Sequence, residues 1–244
     1  MRRYYIWKRF DNAVRPIESK YAKVMKKFYF ELKREIMNNV MDRGDDLLKS
    51  IKADNKKLFD INKAKKDVID LSSPYIEEAL KTGGNIALSE AGITGQFEIV
   101  NTNSIAAFNK RLNAIKDVID TVSEQVDKTI NDGIESGKTL AQVAEDISDK
   151  MGNVQWKAER IARTEIIGAS NQGKFLAFEE NGIEKLEWIH SYDEKVRDDH
   201  LIDEVVKVGE EFSNGLKYPG DRSGSESTPE NIINCRCSSA PAGE

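Results

Sequence analysis

The side chains with the most chemical reach lie toward the C-terminal end of this 244-residue chain. Both of its histidines, His190 and His200, fall there, with Asp193, Arg197, Asp198, Asp199 and Asp203 around them, and both cysteines, Cys235 and Cys237, follow. Imidazole nitrogen and thiolate sulfur form the mixed donor set that zinc takes in a tetrahedron. His200, Cys235 and Cys237 make one candidate metal set, with a carboxylate or His190 as fourth ligand. The competing reading is two small buried thiols at the end of a strand, since Cys-x-Cys bites more tightly than the usual Cys-x-x-Cys knuckle. A thiol nucleophile paired with His200 is a third reading; it needs an oriented base and an electropositive pocket. A disulfide between cysteines one residue apart would be strained, so the pair points to synthesis in a reducing compartment.

A second constellation is Ala162-Arg163-Thr164-Glu165, inside a long helical pattern. At about 100° per residue, Arg163 and Glu165 project roughly 200° apart and cannot act as one pair. Arg160, Thr164, Gly168 and Asn171 share a face. A mid-helix glycine costs roughly 0.5–1 kcal/mol against alanine, so Gly168 implies a close approach of another backbone.

The elements that must position these groups are mostly helices. From Glu18 to Val40 the residues Tyr21, Val24, Met25, Phe28, Leu32, Ile36 and Val40 step by three and four, predicting an amphipathic helix that stops near Gly44. A second helix is expected from about Ala53 to Leu71, with Pro74 opening a third and Gly83, Gly84, Gly92 and Gly95 marking a loop-rich join. Ile105, Phe108, Leu112, Ile115, Ile119, Val122 and Val126 form a heptad seam on a rod of roughly 45 Å. Its partner is expected within the same chain. Thr139 and Gln142 make a capping box, and a last long helix ends at Asn181-Gly182. The expected fold is mainly α with a small α+β C-terminal module. Long helices pack as a helical body, and short strands lie near 186–190 and 205–208. Residues 214–228, rich in glycine and serine, read as a poorly buried loop. The expected division is a helical N-terminal region over 1–100 and a second domain over 101–244, with helices at 104–135, 139–151 and 154–180.

Composition and charge narrow the function. With 32% charged and 39% apolar residues, 5 prolines and 16 glycines, collagenous, Pro-rich and disulfide-scaffold classes are excluded. The stretch 99–109 is among the longest without a charge, far short of the ~20 apolar residues of a membrane span. The basic start MRRYYIWKRF has no apolar core behind it and does not read as a secretory signal. Residues 1–34 hold 11 Lys/Arg against 3 Asp/Glu, and the rest 26 against 39. Arg2, Arg3, Lys8, Arg9, Arg15, Lys20, Lys23, Lys26 and Lys27 are therefore candidate contacts for nucleic acid or an acidic partner, or else a solvated helix face. No P-loop, GxGxxG turn, HExxH helix or GxSxG elbow is present.

The order of motifs carries one resemblance. ARTE at 162–165, Asn171, Gly173, Gly182, Trp188, Asp193-x-x-Val196-Arg197-x-x-His200, Phe212, Pro219-Gly220-Asp221 and Asn234-Cys235-Arg236-Cys237 follow one another as in the phage Mu F-like family of head-morphogenesis, or minor head, proteins. The GITGQF loop, the rod and the capping turn resemble the family too. The resemblance implies a non-catalytic structural protein of a tailed double-stranded DNA bacteriophage, found in the virion head and, during assembly, in the host cytoplasm. Its implied partners are the portal protein, the major capsid or scaffold protein and the packaged genome, with no membrane and no required cofactor. Many relatives have Cys-x-x-Cys where this chain has Arg197-x-x-His200, and a histidine where it has Ile232, so zinc would here rest on His200, Cys235 and Cys237 alone. Such domains also occur fused to toxin domains such as ADP-ribosyltransferases. Under this reading Arg163, Glu165, Asn171, Asp193, Arg197, His200 and Asn234 form a structural polar network; the alternatives are a zinc- or thiol-dependent enzyme and a nucleic-acid-binding module led by residues 1–34.

Overall fold

The computed structural model describes residues 1–43 and 58–242. Among the described residues five helices, α1 (Arg2–Asp42), α2 (Ile61–Glu90), α3 (Thr102–Glu135), α4 (Leu140–Met151) and α5 (Val154–Glu180), precede a small mixed region. There β1 (Lys185–Ile189), a 3-10 turn (Asp198–His200), β2 (Val205–Lys207), the single-turn helix α6 (Pro229–Ile232) and β3 (Ser238–Pro241) follow in order. The strands form one antiparallel sheet in the order β2-β1-β3, with Leu186 opposite both Val206 and Pro241. The fold is thus a mainly helical body with a small C-terminal sheet region.

The chain divides into two compact units. One gathers Met1–Ala22, Ser73–Leu112 and Arg160–Glu244; the other gathers Lys23–Ser72 and Asn113–Glu159. The described residues of the second include four amphipathic helical stretches. Met25, Phe28, Leu32, Ile36 and Val40 of α1, Ala64 and Val68 of α2, Ile115, Ile119, Val122, Val126 and Ile130 of α3, and Val143, Ile147 and Met151 of α4 are all buried. Each large side chain among them contributes roughly 1.5–3 kcal/mol by leaving water. The heptad seam is thus covered within one chain from Ile115 onward. Of its expected first members Leu112 is buried and Phe108 half-buried, but Ile105 is 45% exposed, and Ser104, Ala107 and Arg111 are buried as well. The Thr139–Gln142 capping box forms as expected, satisfying the first turn of α4.

The first unit packs around Trp188 of β1, with Phe175, Leu176 and Phe178 of α5, Phe212, Leu216, Ile232, Cys235 and Cys237 in the same apolar cluster. Three expectations need correction here. First, α1 begins at Arg2 and runs through Pro16. An interior proline costs about 3 kcal/mol, but Trp7, Phe10, Val14, Ile17 and Tyr21 extend the three–four stripe upstream and are buried. Second, Pro74 does not open a helix and Gly83-Gly84 is not a loop; both lie inside α2. A Cβ on Gly83 would lie 1.8 Å from the Ser170 carbonyl oxygen, and one on Gly173 would lie 2.0 Å from that of Leu80. The glycines let α2 and α5 meet backbone to backbone, which only a bare Cα permits. Third, Asn214–Asp221 is buried rather than solvated, held by polar groups described below. The sequence sets no bounds for the strand 238–241; it adjoins the two buried cysteines, one reading of which sets them at the end of a strand. Gly44 and residues 53–57, where one helix was expected to stop and another to start, lie outside the described residues.

Candidate functional site

The 3-10 turn after β1 and the segment before β3 bring His200, Cys235 and Cys237 together. His200 Nδ1 lies 3.4 Å from Cys235 Sγ and 3.7 Å from Cys237 Sγ, and the three candidate ligand atoms lie within 4.8 Å of one another. All three residues are at most 3% exposed. Tetrahedral zinc, with Zn–S about 2.3 Å and Zn–N about 2.0–2.1 Å, sets sulfur and nitrogen about 3.5 Å apart, so the donor spacing fits the ion. The histidine's orientation is held from behind. Its Nε2 meets Asn231 Oδ1 at 2.7 Å, while Asn231 Nδ2 donates to the carbonyls of Asn214 and Glu226. Those two bonds fix the amide, so Nε2 carries the proton and Nδ1 faces the sulfurs.

The electrostatics of the trio run in the same direction. The hydrogen bond with Cys237, and then those with His200, pull the Cys235 thiol well below its ordinary range against the effect of burial. Burial, reinforced by the neighbouring Cys235 sulfur, pushes Cys237 up. For His200 burial opposes protonation, but the Cys235 and Asn231 contacts outweigh it and raise its pKa above 6.5. Both shifts run in the direction of a Cys235 thiolate beside a His200 imidazolium. Metal and proton would compete for the space between Nδ1 and sulfur, while Nε2–H stays on Asn231. His190, considered as a fourth ligand, turns away: its Nδ1 lies 2.9 Å from the Ser191 carbonyl and its ring packs on Tyr192. Among the described residues no carboxylate joins the trio.

The other polar residues form separate braces around this segment. On one face of α5, Arg163 Nε donates to Glu18 Oε1 (3.1 Å) and Nη1 to Asn234 Oδ1 (3.2 Å). Asn234 takes a positive φ of 61°, and its N–H is received by Thr164 Oγ1 at 3.1 Å. Arg236, between the two cysteines, lies 3.7 Å from Glu18 and 4.0 Å from Asp193, and its carbonyl accepts the Trp7 indole N–H. Asn171 Nδ2 donates to the Cys237 carbonyl at 2.9 Å, and Arg197 to that of Ile233. The opposite face of α5 presents Glu165 to Arg222 and, at 3.7 Å, to Arg111. The 200° separation of Arg163 and Glu165 thus sends them to different partners, and the seven side chains assigned to one network lie in at least three groups.

Several residues in these braces were not singled out by their sequence. Arg111, 2% exposed, donates to the Gly220 carbonyl (2.6 Å) and to Gln172 Oε1 (3.0 Å). A Cβ on Gly168 would sit 2.4 Å from its Nη1, and one on Gly220 would sit 2.8 Å from the Gly168 Cα. The mid-helix glycine was the legible signal; the arginine it accommodates was not. Asp221 receives the N–H groups of Lys217 and Ser223, which explains how a polar loop is buried. Lys174, fully buried, pairs with Glu90 at 2.8 Å, and burial drives its pKa down despite that carboxylate.

The basic N-terminal residues are partly engaged inside their own unit. Arg2 and Arg3 pair with Glu187, and Arg3 also with Asp203. Lys8 and Arg15 flank Asp11, and Arg9 donates to Ser89 Oγ. Lys20 and Lys23 are exposed, Lys26 bonds Gln155, and Lys27 lies 4.0 Å from Glu31. No helix among the described residues is long and apolar enough to cross a membrane.

This combination of a terminal helical stretch, a three-stranded sheet and a Cys-Arg-Cys segment braced on a long helix has a counterpart among known families. The family model described as Phage Mu protein F like protein matches residues 124–240, and over that span the chain is similar to this family. It is also similar to the NAD(+)--arginine ADP-ribosyltransferase EFV of Enterococcus faecalis (strain ATCC 700802 / V583). The two are 26% identical over 223 residues, covering 80% of this chain and 45% of that protein. The chain therefore spans under half the length of this relative. No solved structure matches.

Proposed function

We propose that the chain is a structural, morphogenetic minor head protein of a tailed double-stranded DNA bacteriophage, bound to the portal or to the inner capsid surface in the virion. The carrying observation is the family match over residues 124–240, a span that includes the braced Cys-Arg-Cys segment. The polar braces then serve to hold a compact module, with residues 101–244 acting as the Mu F-like domain and 1–100 as a helical N-terminal region. Lys20 and Lys23, exposed along α1, leave room for packaged DNA as an additional contact. On this reading the similarity to the ADP-ribosyltransferase comes from a shared non-transferase portion. Co-expression with candidate portal, scaffold and major capsid proteins tests the proposal. Retention on portal or capsid, with no transfer of ADP-ribose from NAD to arginine, is the expected result; absence of both partners, or measurable transfer, removes it.

The donor geometry at His200 favours a second, compatible reading, in which Cys235, Cys237 and His200 hold zinc. The ion would supply a cross-link between the 3-10 turn and β3, and the chain's own part is the Asn231 hydrogen bond that aims Nδ1. Near-stoichiometric zinc by elemental analysis, lost in Cys235→Ser, supports it. Metal-free protein that folds unchanged after Cys235→Ser and Cys237→Ser removes it.

A further inference from the structure

We propose that Trp188 is an outer donor to the metal trio, its indole N–H holding Cys237 as a ligand in the way that Asn231 holds His200. The inference rests on the reading of His200, Cys235 and Cys237 as a metal site, and adds to it the residue that positions one of the sulfurs.

Strand register brings the two residues together. Trp188 of β1 lies opposite Ser239 of β3. Cys237 stands two residues before Ser239, so it shares that side of the sheet, side chains alternating along an extended chain. This makes it a diagonal neighbour of Trp188, within reach of an aromatic side chain. Both belong to one apolar cluster. Trp188 also meets His200 edge to face, with ring centroids 5.2 Å apart and planes at 78°. The indole thus adjoins two of the three candidate ligands.

Its polar end is the telling feature. Trp188 is fully buried, yet among the described residues its Nε1 meets no acceptor in hydrogen-bonding geometry. Buried indoles ordinarily find one; Trp7, for comparison, gives its N–H to the Arg236 carbonyl at 3.0 Å. The group on which the Trp188 N–H acts is the Cys237 sulfur. Together with the Ser191 amide it favours the ionised form there, against the larger effect of burial. A neutral thiol is a weak acceptor, which leaves the donor unanswered. A metal-bound cysteine is a thiolate, and hydrogen bonds to an ionised acceptor are the strong ones. Loading the site therefore satisfies a buried donor that the metal-free chain leaves unmet. Cys235 has a donor of its own, the Cys237 backbone N–H at 3.4 Å. Packing alone needs no N–H at position 188, since Phe212, 5.3 Å away, lines the same cluster with a plain ring.

The test uses the full chain loaded with Co(II), whose sulfur-to-metal charge-transfer band reports how much charge the thiolates give the ion. Trp188 is replaced by phenylalanine and, site-specifically, by benzothienylalanine, a ring of the same shape with sulfur in place of the N–H. Both changes should weaken Co(II) binding about 10–100-fold in competition with a chelator and move the band to lower energy. Phe212→Leu, in the same cluster, should lower the melting temperature and leave the band in place. An unchanged band and affinity in the benzothienylalanine variant, or a band moved equally by Phe212→Leu, overturns the proposal, even where Trp188→Phe fails to fold. A parent chain that takes up no Co(II) overturns the metal reading itself, and this inference with it.

Discussion

Replacing Gly168 by alanine discriminates between two opposed expectations. In an unconstrained helix interior the change stabilises by about 1 kcal/mol, because alanine loses less backbone entropy. Here the new methyl would lie 2.4 Å from Arg111 Nη1 and 2.8 Å from its Cζ. The guanidinium must move, and with it the bonds to the Gly220 carbonyl and Gln172 and the approach to Glu165. Hydrogen bonds to a charged group are worth about 1.5–3 kcal/mol each, and breaking a buried ion pair costs about 3–5 kcal/mol. Partial relaxation and the helix gain leave a net loss of about 2–4 kcal/mol. At about 2–4 °C per kcal/mol for a domain of this size, the melting temperature should fall by roughly 5–15 °C, read by circular dichroism. The double variant supplies the sharper measure. With Arg111→Ala already present the clash disappears, so adding Gly168→Ala should become neutral or slightly stabilising, a reversal of sign. A stabilised single variant, or equal effects in both backgrounds, refutes the reasoning.

Lys174→Met alone should destabilise by about 3–5 kcal/mol by stranding Glu90, whereas Lys174→Met with Glu90→Leu should be close to neutral in denaturant titrations. The pH dependence follows from the same pair. Lys174 has its folded pKa lowered, so the unfolded chain binds more protons, and stability should rise with pH from the folded value toward about 10.4; the double variant should lose that slope. Gly83→Ala, which would drive a Cβ to 1.8 Å from the Ser170 carbonyl, should destabilise by about 1–3 kcal/mol, against the gain expected of an ordinary helical glycine; urea midpoints decide. Asn231→Leu should weaken zinc uptake by about 10–100-fold in competition with a chelator, since it removes the group that orients His200; unchanged affinity would show that Asn231 does not position the ligand.

Periodicity made the helices legible because a buried stripe at three–four spacing leaves a direct trace in residue type. That is why α3, α4 and α5 could be outlined, and why Thr139 and Gln142 marked the start of α4. Punctuation failed where tertiary contact overrode local preference. Gly83 read as a break, yet with Gly173 it is where two helix backbones touch. Pro74 read as a boundary, yet buried side chains on either side, Val68 and Ile76 among them, carry the helix through. At the site, the rarity of histidine and cysteine was enough to bring out His200, Cys235 and Cys237. Their braces were not readable, because a buried Arg111, Lys174 or Glu18 looks in sequence like any surface charge. Only the burial of both partners, many residues apart, distinguishes them.

The pairing of Arg3 with Glu187 and Asp203, and of Trp7 with the Arg236 carbonyl, joins positions separated by 184, 200 and 229 residues. Loop closure on that scale is slow, and no fragment lacking the last strand can complete it. During synthesis this helix must therefore wait, its buried face uncovered, until the segment around Arg236 has left the ribosome. For that interval Trp7 and Phe10 are exposed to chaperones or to neighbouring nascent chains, and the yield of native protein should depend on how long translation takes.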